Sequence, residues 1–161
     1  MDIMQLLMKE FKLMLLAAVP IIELRGAIPA GMVMGLDPLT SAIVSFIGSM
    51  LPVPFILFGM KPVLEFMRRF KWADKFLDWL TERTLRRAKN FDKLSFYGLM
   101  IFVAIPLPTT GVWTGSMASS LFGLRIKRSF LAITIGNLIA ALLITAGSTF
   151  AASLFEKIPL L

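Results

Sequence analysis

Residues 20–29 read Pro-Ile-Ile-Glu-Leu-Arg-Gly-Ala-Ile-Pro, with a carboxylate and a guanidinium two residues apart in an apolar stretch. Between Lys12 and Asp37, Glu23 and Arg25 are the only charged residues. An ionised group at the centre of a hydrocarbon slab costs roughly 2.5–3.5 kcal/mol on insertion scales. Two such groups flanked by Pro20 and Pro29 predict broken backbone and a polar site at membrane depth, not an ordinary span.

The surrounding chain supports a membrane setting. Of 161 residues, 57% are hydrophobic, and the mean hydropathy is +0.80. Soluble domains stay at or below about half apolar. The excess lies in long uncharged runs at Pro38–Met60, 94–124 and 129–155. A span needs about 20 apolar residues, so the sequence predicts an all-α, multi-pass integral membrane protein. The net charge of +7 points to anionic lipid head groups, not nucleic acid, because it accompanies these runs. The N-terminus is a poor signal peptide: Lys9 and Lys12 come late, and Glu23 and Arg25 soon interrupt the apolar stretch. It is expected to be retained.

A shift of 88 residues, the separation of Ser49 and Asn137, lays punctuation on punctuation. Pro20 meets Pro108, Gly35-Leu36 meets Gly123-Leu124, and Gly48-Ser49 meets Gly136-Asn137. Gly31 and Gly35, a small-xxx-small pair read as packing, meet Ser119 and Gly123. The reading is one membrane domain, 1–161. Repeat 1 covers about 1–60, an amphipathic connector 61–92, and repeat 2 about 89–155. Each repeat is a broken-helix segment followed by one long span. In the second, residues 94–105 and 111–124 flank Pro106 and Pro108, and each arm reaches only about 20 Å at 1.5 Å per residue. In the first, Pro20 and Pro29 are expected to break the helix in the same way. Such segments are either kinked spans or re-entrant hairpins.

Charge chooses between the two. Residues 61–93 carry ten basic and five acidic groups, and Arg125, Lys127 and Arg128 form a second basic cluster. Two hairpins plus two true spans put both clusters on one face, the cytoplasmic one. The second repeat is then inverted relative to the first, as in many transporters. In this arrangement 61–93 is cytoplasmic and both termini lie outside. In the connector, Phe70, Ala73, Leu77 and Leu80, widened by Trp72, Phe76 and Trp79, make an amphipathic face suited to the interface. Anionic lipid partners are expected at 61–93 and 125–128.

Candidate site residues follow from this plan. Arg25 would anchor an anionic group, and Glu23 would be a protonatable carboxylate. The competing reading is a neutralising ion pair that pins the hairpin. Two residues apart, they converge only where the backbone is unwound. The second broken segment offers Thr109, Thr110, Gly111, Trp113 and Thr114 after Pro106 and Pro108. Its hydroxyls and open amides suit either an anion or the capping of a broken helix. Asn137 is a polar residue within a span and a candidate bridge between helices. With no cysteine and no histidine, thiol and imidazole chemistry are excluded, and no catalytic residue, metal or cofactor is assigned.

At these residues the chain resembles a known family. Glu-Leu-Arg-Gly-Ala-Ile-Pro (23–29) together with Phe-Val-Ala-Ile-Pro-Leu-Pro-Thr-Thr-Gly-Val-Trp-Thr-Gly-Ser (102–116) is similar to the prokaryotic small multidrug export membrane proteins. These in turn look like distant relatives of the DedA/VTT superfamily. That resemblance implies two facing re-entrant hairpins in an inverted repeat, and movement of lipid carriers with an essential acidic residue and arginine. On that pattern Glu23 and Arg25 would be the matching essential pair, and Pro106, Pro108 and Gly111 the second hairpin. The chain departs from it in lacking an obvious second acidic residue inside the membrane.

The leading expectation is a small secondary transporter or flippase in the cytoplasmic membrane. It would move an amphipathic, anionic-headed substrate, such as a lipid phosphate, held between the hairpin tips by alternating access with proton coupling. The alternative is a non-transporting scaffold in which Glu23 and Arg25 are structural. A homodimer is left open. An enzyme acting on lipid phosphates is disfavoured, because clustered carboxylates for a metal are lacking.

Overall fold

The computed structural model describes residues 3–67, 69–70, 75, 91–107 and 110–157. Among them, regular structure is helical throughout: α1 (Ile3–Ala18), α2 (Glu23–Val33), α3 (Pro38–Met50), α4 (Pro52–Met67), α5 (Phe91–Ala104), α6 (Val112–Leu121) and α7 (Ile126–Lys157). Most of the connector, with Trp72, Phe76 and Trp79 of its expected face, lies outside the described residues. Pro108 and Thr109 do too.

Two stretches are long and apolar enough to cross a membrane, Pro38–Met60 and Ile126–Leu154. The first comprises α3 and part of α4. Leu51, between them, keeps helical angles (φ −55°, ψ −47°), and its N–H reaches only the Gly48 carbonyl, at 3.3 Å. Pro52 and Pro54 bring no N–H, so the ladder is interrupted while the backbone stays on a helical course. The other helices are shorter. α1 and α2 have 16 and 11 residues, and α5 and α6 have 14 and 10. At 1.5 Å per residue these reach about 15–24 Å, less than the roughly 30 Å hydrocarbon core.

The chain divides into two compact units, Met1–Leu51 with Asn137–Leu161, and Pro52–Gly136. In the first, Leu13 and Ala17, one turn apart on α1, are fully buried with Ala27 and Leu36. Leu24 and Ile28 of α2 pack with Ala140 and Ala141 of α7. Gly48 lets α1 approach α3 at backbone distance. A Cβ there would overlap the Met14 carbonyl and lie 3.0 Å from the Ala17 Cβ. The end of α1 is therefore level with the middle of Pro38–Met60. In the second unit Gly136 plays the same part. A Cβ there would overlap the Met100 carbonyl and lie 2.9 Å from the Val103 Cβ. The end of α5 is thus level with the mid-section of Ile126–Leu154.

The turns after α2 and α6 close in the same way. Met34, Gly35 and Leu36 donate to the carbonyls of Ala30, Met32 and Gly31. Phe122, Gly123 and Leu124, each 88 residues later, donate to Ala118, Ser120 and Ser119. Gly35 (φ +82°) and Gly123 (φ +63°) take the left-handed backbone that ends a helix of this kind. Gly35 is therefore a cap and not the packing position expected of it: the only atom a Cβ would meet is the Lys9 Nζ, at 3.8 Å. Gly31 does pack, with a Cβ position 2.6 Å from the Ser41 Oγ.

Pro29 also departs from expectation. It lies inside α2 and does not end it. A proline removes one ladder bond, here the one to the Arg25 carbonyl. Apolar helices tolerate that loss when packing holds them, and α2 is held by α1 and α3. The break in the first segment falls at residues 19–22 alone.

Asp37 starts α3, accepting from the Thr40 N–H at 2.9 Å and the Thr40 hydroxyl at 2.6 Å, with Pro38 at the first helical position. The Thr40 hydroxyl, then the backbone amide, hold its carboxyl below the usual carboxylate range. A lowered native pKa means that the cap contributes fully above the unfolded value and is lost as pH falls through the native one. Thermal unfolding of the detergent-solubilised protein should show an acid-side loss that Asp37→Ala removes, at the cost of a lower Tm at neutral pH. Gly48→Ala and Gly136→Ala should each cost about 1–3 kcal/mol by overpacking. Gly59→Ala, with nothing among the described residues within 4 Å of its Cβ position, should leave Tm unchanged or raise it.

Candidate functional site

The first broken segment turns at Val19-Pro20-Ile21-Ile22. The N–H groups of Ile22 and Glu23 both reach the Val19 carbonyl, at 3.2 and 3.0 Å. Ile21, at the tip, is 92% exposed on the protein surface. Glu23, two residues on, is only 6% exposed. It is also the one non-glycine residue with positive φ (+48°) among the described residues. That conformation costs a residue with a Cβ roughly 1–2 kcal/mol. Strain of this kind persists only where the surroundings impose it.

Glu23 opens α2, where the helix dipole favours a carboxylate. Arg25 is half-buried and lies within electrostatic reach of Glu23. On a regular helix these two would diverge; the left-handed backbone at Glu23 changes that geometry. The Arg25 carbonyl cannot receive a ladder bond from Pro29, which has no N–H. A buried acid, a half-buried base and a reduced ladder thus coincide within one turn of α2.

Asn137, also in this unit, bridges two helices. Its Nδ2 donates to the Ser49 Oγ at 2.8 Å, and Ser49 donates in turn to the Phe46 carbonyl at 2.9 Å. Both side chains are buried. Sequence reasoning missed Ser41 and Ser45. Both hydroxyls are fully buried on α3 and have no hydrogen-bond partner. The signal was available: Asp37, Ser41, Ser45 and Ser49 recur every four residues, one face of a helix.

In the second unit Pro106 and Leu107 are exposed, whereas Gly111 and Val112 are buried. The Thr110 Oγ1 donates to the Ile105 and Leu107 carbonyls, at 2.7 and 3.0 Å. The Thr114 Oγ1 turns to the Gly111 carbonyl at 3.4 Å, and the Ser116 Oγ to Val112 at 2.6 Å. These hydroxyls are spent on backbone carbonyls, so in this conformation they cap a broken helix. Gly111 (φ +153°) carries the chain into α6 with no side-chain cap. Trp113 faces an apolar groove of about 330 Å³ between α4 and α6, where Phe55, Ile56, Met60, Val63 and Met117 also contribute. Such a lining fits a hydrocarbon chain or ring and offers no partner for a charge.

The strain at Glu23 separates a functional carboxylate from a structural clamp. Glu23→Gly should keep or raise the Tm of the purified protein, because glycine relieves about 1 kcal/mol of left-handed strain. A clear fall in Tm would mark Glu23 as a clamp that holds the turn.

A family model described as "Putative small multi-drug export protein" matches residues 23–143. It begins at Glu23 and takes in every candidate site residue. No curated protein and no solved structure matches the chain. The family's name is that of an exporter, not of an enzyme family. Together with the two apolar helices it points to a membrane location. By that match, over three quarters of its length, the chain belongs to the small multi-drug export protein family.

Proposed function

We propose that the chain is a small secondary exporter of the cytoplasmic membrane that moves an amphipathic, anionic-headed substrate by alternating access. The observation that carries this reading is Glu23: a carboxylate buried in strained backbone, two residues from Arg25. Intramembrane ionisable groups that persist at such cost mark substrate or proton pathways. Arg25 supplies the cation for the substrate's head, and protonation of Glu23 alters the balance at Arg25 and so the grip on the substrate.

The same reading makes the segments α1–α2 and α5–α6 re-entrant hairpins. The support is local. All four helices are shorter than the hydrocarbon core, and α1 and α5 end beside the mid-sections of the two spans, at Gly48 and Gly136. The matched caps after α2 and α6, 88 residues apart, support a duplication. With one crossing per repeat, the second copy is inverted, 61–93 and 125–128 face the cytoplasm and its anionic lipids, and both termini face outward. This plan is the basis for proposing a distant DedA/VTT kinship and a lipid phosphate as the substrate's head.

The test uses proteoliposomes and a fluorescent phosphatidylglycerol whose outer-leaflet copies are quenched by a membrane-impermeant reductant. The native protein should move the probe between leaflets. Arg25→Ala should abolish movement, and Glu23→Gln should remove its dependence on a pH gradient. Wild-type rates in both variants would discard the assignment.

A further inference from the structure

The unpartnered hydroxyls of Ser41 and Ser45 lie one turn apart on α3, which packs against α2, and α2 begins with Glu23. Gly31 of α2 fixes the register, since its Cβ position lies 2.6 Å from the Ser41 Oγ. The two helices are joined by the short turn at 34–37 and run antiparallel. From that contact, one turn towards the start of α2 is Ala27 and one turn further along α3 is Ser45. A further turn in each helix is Glu23 on α2 and Ser49, the partner of Asn137, on α3. All of these positions are buried. The approach of Ala17 on α1 to Gly48 places the same end of the hairpin at that level independently.

The second half shows how this face looks when it is satisfied. Ser119 stands where Gly31 does and Ser129 where Ser41 does. Their hydroxyls bond each other at 2.5 Å, and Ser129 also donates to the Arg125 carbonyl at 3.1 Å. Ile133 replaces Ser45. Among the described residues, only the half that carries Glu23 keeps two buried hydroxyls without partners. Leaving such a group unpaired costs about 1–3 kcal/mol, and in a native protein it calls for an unseen partner.

We infer that Ser41 and Ser45 line a water-bridged proton route along α3, from the Asp37 end of the helix towards the Glu23 carboxylate. The Cβ atoms of residues one turn apart on a helix stand about 5–6 Å from each other. That is too far for a direct hydrogen bond of about 2.5–3.0 Å and right for one bridging water. Each hydroxyl passes on one proton and accepts another, ending unchanged, and one oxygen of Glu23 takes the last. The charged groups on the packed elements are Arg25 on α2, Lys9, Glu10 and Lys12 on α1, and Asp37 at the head of α3. Lys9 is engaged at the far end of α2, on the Met34 carbonyl at 2.7 Å. The inference rests on Glu23 being a titrating group, as proposed above.

Infrared difference spectroscopy of the protein in lipid nanodiscs reads this directly. The Glu23 carboxyl band is the one lost in Glu23→Gln, and its rate of deuteration after transfer to heavy water reports access. Ser41→Ala with Ser45→Ala, and separately Ser45→Val, should slow that exchange several-fold while Tm is unchanged or higher. Wild-type exchange in both variants overturns the route whatever the lipid-transfer assay shows. A lowered Tm with unchanged exchange makes the hydroxyls structural and likewise overturns the route. If the native protein shows no Glu23 carboxyl band at any pH, both the route and the protonation of Glu23 fall, while Arg25-dependent transport can still stand.

Discussion

The Glu23 carboxylate, buried at the head of an otherwise apolar helix and within electrostatic reach of the Arg25 guanidinium, is the constraint that the α1–α2 turn accommodates. A charge in hydrocarbon is tolerated when it is paired, hydrated or turned inward. Glu23 is turned inward, and the turn that achieves this needs the left-handed angle that a residue with a Cβ resists. Pro20 opens the turn, and Val19 supplies the one carbonyl that accepts both following amides. The small residues of the neighbouring helices then let α1 and α2 pack closely on α3, at Gly31 and Gly48.

A second constraint acts on the backbone. In hydrocarbon each unpaired N–H or carbonyl costs several kcal/mol, so irregular chain survives only where it is buried in protein or lines a hydrated space. The second broken segment meets this with its own side chains: Thr110, Thr114 and Ser116 all turn onto carbonyls of the same segment. The first segment has no hydroxyl between Val19 and Val33. Its polar resources are Glu23 and Arg25 within it and the serine face of α3 against it. The two segments resemble each other in length and caps but differ in how their polar groups are satisfied. That difference leaves the two ionisable side chains, Glu23 and Arg25, in the first.

Much of this is legible in the sequence. Two of the three apolar runs locate, to within a few residues, the stretches long and apolar enough to cross a membrane, because length and hydropathy alone decide them. Residues 94–105 and 111–124 anticipate α5 and α6 within a few residues, since proline and glycine set helix ends through local sterics. Ser49 and Asn137 already match by position in the sequence, and a hydrogen bond joins them in the fold. Pro29 misleads because the cost of one lost ladder bond is decided by the packing around α2, which no local pattern reveals. Gly35 misleads because small-xxx-small spacing and a helix cap can look alike in sequence; the left-handed angle distinguishes them. Ser41 and Ser45 escape notice because serine in an apolar run is common, and only burial without a partner makes it informative.

The central claim is that the α1–α2 turn stops within the membrane. It can be tested in a chain that has no native cysteine. Single cysteines are placed at Gln5, near the start of α1, and at Ile21, on the exposed tip, and each is challenged with a membrane-impermeant maleimide from either face of sealed vesicles. The account predicts that Gln5→Cys is labelled from one face and that Ile21→Cys is not labelled from the opposite face. Labelling of Ile21→Cys from that opposite face would mean that the hairpin crosses completely, and would contradict the account.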